Sequence, residues 1–87
     1  MNYYVYLILS KSTKINISYV GYTNNLINRL KKHNSSIGAK FTKGRKWKVI
    51  YSKKYNSKSR ALKEEHKLKK DYKKRKNIKN NYLLKYE

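Results

Sequence analysis

The first apolar segment of the chain has no polar face. Residues 3–9 read Tyr-Tyr-Val-Tyr-Leu-Ile-Leu, so apolar or aromatic side chains point to both sides of any strand formed here. Such a pattern is typical of a central strand in a sheet that is covered on both faces. A polar, turn-like stretch follows from Ser10 to Asn16, and Ile17 to Tyr22 has the composition of a second strand. The short separation predicts an antiparallel hairpin.

Helical spacing replaces strand-like runs after the hairpin. Three polar residues suited to cap a helix come first, Thr23, Asn24 and Asn25. The apolar positions that follow at helical spacing are Leu26, Ile27 and Leu30. We expect this helix to continue to about His33, because the residues after it, Asn34, Ser35 and Ser36, favour a helix end.

The second half of the chain predicts one more strand and further helix. Gly38 to Lys46 reads as a basic loop, and Trp47 to Tyr55 alternates well enough for a third strand. Ser57 or Ser59 can cap a second helix, whose apolar positions are Ala61, Leu62 and Leu68. From Lys69 onward the chain is a lysine-rich tail, for which we expect helix with fraying at its end.

The resulting order, β-β-α-β-α, indicates an α+β fold in which helices flank a small three-stranded antiparallel sheet. The 87 residues suffice for one small domain. We assign residues 1–76 to this domain. Residues 77–87 form a basic C-terminal extension that is either part of the same domain or frayed.

The excess of basic residues indicates what class of molecule the chain binds. The chain has 24 Lys and Arg against 4 acidic residues, and a net charge of +20 predicts a polyanionic partner. Ten tyrosines and one tryptophan among the cations favour nucleic acid, and no basic segment has the uninterrupted apolar face of a membrane-surface helix. The absence of cysteine excludes disulfides and cysteine-ligated zinc. With no signal peptide or membrane span visible, we expect a cytoplasmic protein that does not bind membranes.

The few acidic residues limit where a hard metal ion could bind. The candidates are Glu64, Glu65, Asp71 and Glu87. A helical projection at about 100° per residue gathers four apolar residues into one stripe, Ala61, Leu62, Leu68 and Tyr72. Glu65 falls in the middle of this stripe and Glu64 at its edge. The pattern leaves two interpretations of Glu65 open, a structural ion pair or a metal ligand that faces the sheet.

The hairpin and the first helix supply further candidates. A pairing register that sets Val5 opposite Val20 also sets Tyr6 opposite Tyr19. The two phenols either pack as a cross-strand pair, or one of them, lowered in pKa by nearby cations or metal-bound water, removes a proton from an attacking water. Arg29 and His33 are four residues apart and so share a helix face. Arg29 is either solvated or placed to bind two oxygens of a phosphate.

A longer pattern joins these residues. In chain order it consists of Tyr4-Val5-Tyr6, Tyr19-Val20-Gly21, Asn25-Leu26, Arg29-Leu30 and His33. Two later segments, Gly44 to Tyr51 and Ala61 to Lys69, resemble the third strand and the segment with the metal-binding glutamate of one nuclease family. The chain therefore resembles the GIY-YIG nucleases over about residues 3–76, in the form of a small stand-alone member.

The resemblance implies a metal-dependent endonuclease that uses Mg²⁺ or Mn²⁺ and acts on nucleic acid, with DNA favoured over RNA. It implies catalytic roles for five residues, Tyr6, Tyr19, Arg29, His33 and Glu65, with Glu65 as the metal ligand. The first glycine of the signature is Tyr4 here, and its isoleucines are Val5 and Val20. The alternative is a nuclease-like fold that binds nucleic acid without cutting it. Retention of all five positions argues against this alternative.

Basic residues outside the signature are candidates for binding the nucleic-acid backbone. They are Lys40, Lys43, Arg45, Lys46, Lys69 and Lys73. Some family members have a lysine shortly after the second motif, where this chain has Tyr22-Thr23, so Lys40 or Lys43 is expected to supply that contact. Such contacts are salt-dependent and independent of sequence, and the alternative is a solvated charge run without a specific role. The sequence identifies no protein partner.

Overall fold

A computed structural model describes residues 1–12, 15–35, 40–42 and 44–86 of the chain. Its three strands are β1 (Tyr3–Ser10), β2 (Ile17–Thr23) and β3 (Lys48–Tyr55). Its three α-helices are α1 (Leu26–Asn34), α2 (Lys58–Lys70) and α3 (Tyr72–Tyr86). A single 3₁₀ turn, Lys40–Thr42, lies between α1 and β3. The predicted α+β fold with a small antiparallel sheet is confirmed.

The sheet has the strand order β2-β1-β3, and both pairs are antiparallel. The central position of β1 confirms the prediction made from its two apolar faces. One face packs against α2 and α3 through a cluster in which Val5, Leu7 and Val20 contact Ala61 and Leu68. The other face packs against α1 through Tyr6, Ile8, Trp47, Leu26 and Leu30. Helices on both sides explain why β1 has no polar face.

The register of the hairpin differs from the predicted one by two residues. Tyr6 pairs with Gly21, and Tyr19 pairs with Ile8. The physical reason is the Tyr6 ring, which lies over Gly21 so closely that a Cβ atom at position 21 would sit 2.5 Å from Tyr6 Cζ and closer still to its hydroxyl oxygen. Because side chains alternate with a period of two, a shift of two leaves Tyr6 and Tyr19 on the same face. They are diagonal neighbours and do not face each other directly.

The apolar stripe predicted for the second helix is partly wrong. Leu62 is 40 % exposed and Tyr72 is 60 % exposed, whereas Ala61 and Leu68 are buried and Glu65 lies between them on the same face. Tyr72 leaves the stripe because α2 ends at Lys70 and a new helix follows. On α1, Ile27 is likewise outside the buried face, with 71 % of its surface exposed.

A break at Asp71 separates α2 from α3. The backbone there leaves helical geometry at φ −92° and ψ 80°, and the Asp71 side chain accepts a hydrogen bond from Lys74 N at 3.1 Å, as an N-cap does. The expected helical tail is therefore a separate helix. Ile78 of α3 packs against the apolar cluster around Leu7. The division of the chain at residue 76 remains a prediction.

Replacing Gly21 by alanine tests the close contact that sets the register. We expect Gly21→Ala to lower the free energy of unfolding by about 1–3 kcal/mol, because the new methyl group overlaps the Tyr6 ring. Urea denaturation measures this difference. Ser52→Ala is the matched control, since Ser52 pairs with Tyr6 from the other neighbouring strand and is exposed. Equal stabilities of the two variants would contradict the explanation.

Candidate active site

The hydroxyl group of Tyr6 is the meeting point of two side chains from α1. His33 Nε2 lies 2.9 Å from the Tyr6 oxygen, and Arg29 Nε donates a longer hydrogen bond to it at 3.5 Å. Tyr6 is 1 % exposed and His33 is fully buried. The four-residue spacing of Arg29 and His33 places both on the helix face that covers the sheet. The structure thus brings together three of the five predicted site residues.

The second nitrogen of His33 is also occupied. Its Nδ1 lies 2.9 Å from the Oγ1 atom of Thr42, which is itself buried in the 3₁₀ turn. Trp47 donates from Nε1 to the carbonyl oxygen of Thr42 at 3.0 Å. Asn34 uses both ends of its side-chain amide on the backbone of Trp47. These contacts fix the imidazole from the side opposite Tyr6.

Sequence reasoning missed this supporting group. Thr42 stands among lysines in a stretch that reads as a basic loop, and Asn34 reads only as a helix end. No local pattern marks either residue, because their partners are distant in the sequence. Gly21 had a signal, since it completes the second motif, but its role opposite Tyr6 depends on the register.

Tyr19 lies on the other side of the imidazole. Its ring centre is 5.4 Å from that of His33 in an edge-to-face arrangement, and the Tyr6 ring centre is 5.9 Å from the same imidazole. Phe41 stacks on Tyr19 with ring centres 5.9 Å apart and planes inclined by 23°. The two tyrosines therefore lie close together, as predicted, but each contacts the imidazole of His33. Tyr19 is partly exposed, unlike Tyr6.

Burial dominates the electrostatics of the hydrogen-bonded pair. It raises the pKa of Tyr6, and nearby Tyr19 and Glu65 raise it further, although Arg29 acts in the opposite direction. Burial also lowers the pKa of His33, and the adjacent Arg29 adds to this shift. At neutral pH both side chains are uncharged. The raised pKa of Tyr6 differs from the lowered value expected for a phenol that acts as a base, because desolvation outweighs the single cation.

Glu65 lies near the Tyr6 hydroxyl group, whereas Glu64 lies near Tyr55. The Glu65 side chain is 15 % exposed, and its charge reaches the Tyr6 hydroxyl strongly enough to affect the pKa of Tyr6. Glu64 instead affects the pKa of Tyr55 on β3. The helix therefore directs the two adjacent carboxylates to different parts of the sheet. Each also forms an ion pair on α2, Glu65 with Lys69 and Glu64 with Lys67, both at 3.4 Å.

The donor set suits one kind of metal ion. Among the described residues, no group of three or more His, Cys, Asp and Glu side chains is placed to enclose a metal. Mg²⁺ does not need such an enclosure, because it keeps several waters and binds through one or two carboxylates together with substrate phosphates. Glu65 is a hard oxygen donor whose side chain is 15 % exposed, and it fits this mode of binding.

A polar cleft of about 600 Å³ opens beside Arg29. It extends from the end of β2 across the start of α1 to the start of α2. Its basic residues are Arg29, Lys32 and Lys58. Neither lysine was among the predicted contacts, although Lys32 follows Arg29 by three residues and so shares its helix face.

The residues predicted to bind the nucleic-acid backbone are spread over several elements. Lys40 is exposed on the 3₁₀ turn, and Arg45 and Lys46 precede Trp47. Lys69 and Lys73 are exposed on α2 and α3, and Lys43 lies outside the described residues. Their role in binding remains a prediction.

Comparison with known proteins identifies relatives over most of the chain. Residues 2–80 match the model of the GIY-YIG catalytic domain. A UPF0213 protein of Oceanobacillus iheyensis is 43 % identical over 68 residues, which cover 77 % of this chain and 76 % of that protein. The UPF0213 protein YazA of Bacillus subtilis is 36 % identical over 78 residues, which cover 88 % of this chain and 76 % of that protein.

A solved structure has the same fold. The solution NMR structure of the UPF0213 protein BH0048 from Bacillus halodurans superposes with a TM-score of 0.51 at 35 % sequence identity, covering 92 % of this chain and 84 % of that one. In the part of the chain that the structure describes, no helix combines the length and the apolar character needed to cross a membrane.

Removing the Thr42 hydroxyl tests its support of His33. We expect Thr42→Val, which keeps the shape, to cost about 1–3 kcal/mol of folding free energy by leaving His33 Nδ1 buried without its partner. Chemical denaturation measures the loss. Thr42→Ser retains the hydroxyl and should recover most of the stability. A serine variant as unstable as the valine variant would show that packing, and not the hydrogen bond, is responsible.

The lowered pKa of His33 predicts how stability varies with pH. The unfolded chain binds the proton more tightly than the folded chain, so stability is fully present above the unfolded value of about 6.5 and falls as the pH is lowered below it. The slope is at most about 1.4 kcal/mol per pH unit for one group. Unfolding curves between pH 8 and 5 check this. The slope should persist in His66→Gln, which alters an exposed histidine, and its loss there would refute the assignment to His33.

Proposed function

The chain belongs to the GIY-YIG family of nucleases, and from this we propose that it is a metal-dependent endonuclease that hydrolyses phosphodiester bonds in nucleic acid, with DNA favoured. One observation carries the proposal. A single buried phenol oxygen holds Arg29 and His33, and the carboxylate of Glu65 lies within electrostatic range of it. A phosphate-binding cation and a hard metal ligand thereby border one site.

Arg29 is suited to bind the phosphate at which cleavage occurs. Its Nε atom is held by the Tyr6 oxygen, so the guanidinium is oriented before substrate arrives. Its two terminal amino groups can donate to two phosphate oxygens and stabilise the negative charge that develops there. Lys32 and Lys58 line the same cleft and would bind neighbouring phosphates of the strand.

Glu65 would hold the metal ion. When bound, a divalent cation such as Mg²⁺ or Mn²⁺ supplies charge neutralisation at the leaving oxygen. Lys69 is the present partner of the Glu65 carboxylate, at 3.4 Å, and is half exposed. It is therefore free to turn from the carboxylate toward a phosphate oxygen, while Glu65 keeps its position on the buried face of α2.

The two tyrosines would have different roles. Tyr6 is 1 % exposed and has a raised pKa, so its phenol stays protonated and positions Arg29. Tyr19 is partly exposed and is the one of the two phenols that water can reach. We assign to its deprotonated, phenolate form the removal of a proton from the attacking water, which returns Tyr19 to the neutral phenol. His33 is fully buried and contacts both rings, which makes it a positioning residue that acts through them.

The adjacent glutamates provide a matched test. With Mg²⁺ and plasmid DNA, we expect Glu65→Gln to reduce nicking by on the order of 100-fold or more, and EDTA to stop nicking by the parent chain. Glu64→Gln removes a carboxylate one position away that faces Tyr55 and should cut at nearly the parental rate. Parental activity in Glu65→Gln, or equal losses in both variants, would refute the metal role of Glu65.

A binding module that does not cut is the second candidate. It is favoured by the Glu65 and Lys69 ion pair, which gives the carboxylate a structural partner, and by the net charge of +20. This function predicts tight, salt-dependent binding without metal-dependent cleavage of duplex, branched or single-stranded substrates. Cleavage of any of these substrates that EDTA abolishes would exclude it.

A further inference from the structure

Another cleft, of about 340 Å³, adjoins Tyr19, and two of its residues, Phe41 and Arg75, have no role in the proposed chemistry. It lies between β2, the 3₁₀ turn and the junction of α2 with α3. Its lining residues are Ser18, Tyr19, Val20, Phe41, Lys69 and Arg75. The cleft thus combines two aromatic rings with two cations.

Phe41 is the unusual member of this group. It is 58 % exposed although one side of its ring stacks on Tyr19. The neighbouring Thr42 is fully buried and hydrogen-bonded to His33, so the backbone that carries Phe41 is fixed to the core of the site. Because the backbone of Phe41 is fixed, its exposed ring face can stack on another flat ring at little cost in conformational entropy.

One cation of the cleft is held in place as well. Arg75 donates from Nε to the carbonyl oxygen of Leu68 at 3.0 Å, and its guanidinium lies 5.9 Å from the ring centre of Tyr72. Lys69 extends from α2 with half of its side chain exposed. Aromatic rings beside backbone-binding cations are the usual means of holding single-stranded nucleic acid, where each base stacks and each phosphate meets a positive charge.

We infer that Phe41 is the stacking platform for an unpaired base of the nucleotide next to the scissile phosphate. The inference rests on the proposed function, in which Tyr19 contacts the attacking water, and Phe41 stacks directly on Tyr19. A base inside a continuous duplex already has bases on both faces and cannot stack on a protein ring without being displaced. The preferred substrate is therefore single-stranded, flapped or locally unpaired nucleic acid.

Fluorescence of 2-aminopurine tests the platform without requiring cleavage. The parent chain in EDTA is titrated with single-stranded oligonucleotides that carry 2-aminopurine, and with the same sequence as duplex. We expect stacking to quench the fluorophore in the single strand, and Phe41→Ala to remove the quenching and weaken binding by roughly 5- to 150-fold, the range known for loss of a base-stacking ring. Phe41→Tyr should retain both properties.

Two further variants separate stacking from general effects. Ile27→Ala removes an exposed apolar side chain from α1 and should bind like the parent. Phe41→Leu keeps an apolar contact with Tyr19 and so guards against a folding defect, yet it should lose the quenching as Phe41→Ala does. Unchanged quenching and affinity in Phe41→Ala and Phe41→Leu would overturn the inference.

Cleavage assays distinguish this inference from the proposed function. If the parent chain cuts flapped and single-stranded substrates faster than duplex, and Phe41→Ala loses this preference, both stand. If the parent cuts but Phe41→Ala has the same preference, the inference fails and the endonuclease remains. If the parent cuts nothing while quenching by Phe41 persists, the endonuclease proposal fails, together with the placement of the base beside a scissile bond, and only a base-binding cleft is left.

Discussion

The pairing of the Tyr6 hydroxyl with His33 and Arg29 is the constraint on which the structure of the site depends. Tyr6 is 1 % exposed, and burying its phenol oxygen is costly unless the oxygen is hydrogen-bonded, so its partners must come from another element. That requirement fixes the rotation of α1 over the sheet, because only one face of the helix offers both side chains. It also fixes the 3₁₀ turn, since the imidazole must be satisfied at its far nitrogen. Stability and site geometry thus have one source.

The few acidic residues of the chain are concentrated in one region, whereas the basic residues are not. Three of the four carboxylates lie between positions 64 and 71, on α2 or at its end, while the cations are spread over every helix. A domain with a net charge of +20 repels itself, and a polyanion bound across the site would relieve that repulsion. Without a bound polyanion, the repulsion between the cations is offset by the burial of apolar side chains, to which β1 contributes on both of its faces.

The sequence predicted the arrangement of elements better than it predicted their contacts. The central place of β1, the two helices that follow and the inward face of Glu65 came from periodicity alone. The hairpin register did not, because alternation fits two registers that differ by two residues, and only the space above Gly21 decides between them. The end of α2 was missed because no glycine or proline stands at or near Asp71 to signal a helix end. Thr42 was missed because its partner is nine residues away.

The Asn34 side chain donates one hydrogen bond to the Trp47 carbonyl oxygen and accepts another from the Trp47 backbone N–H, and this pair joins the two ends of the connection between α1 and β3. The ends of this connection are thereby anchored independently of what lies between them. Thr42 lies on the 3₁₀ turn within this connection, so it contacts His33 from a segment whose two ends are joined. Phe41 stands on the same turn, so the support of the imidazole and the proposed contact with a base depend on one anchored segment of the chain.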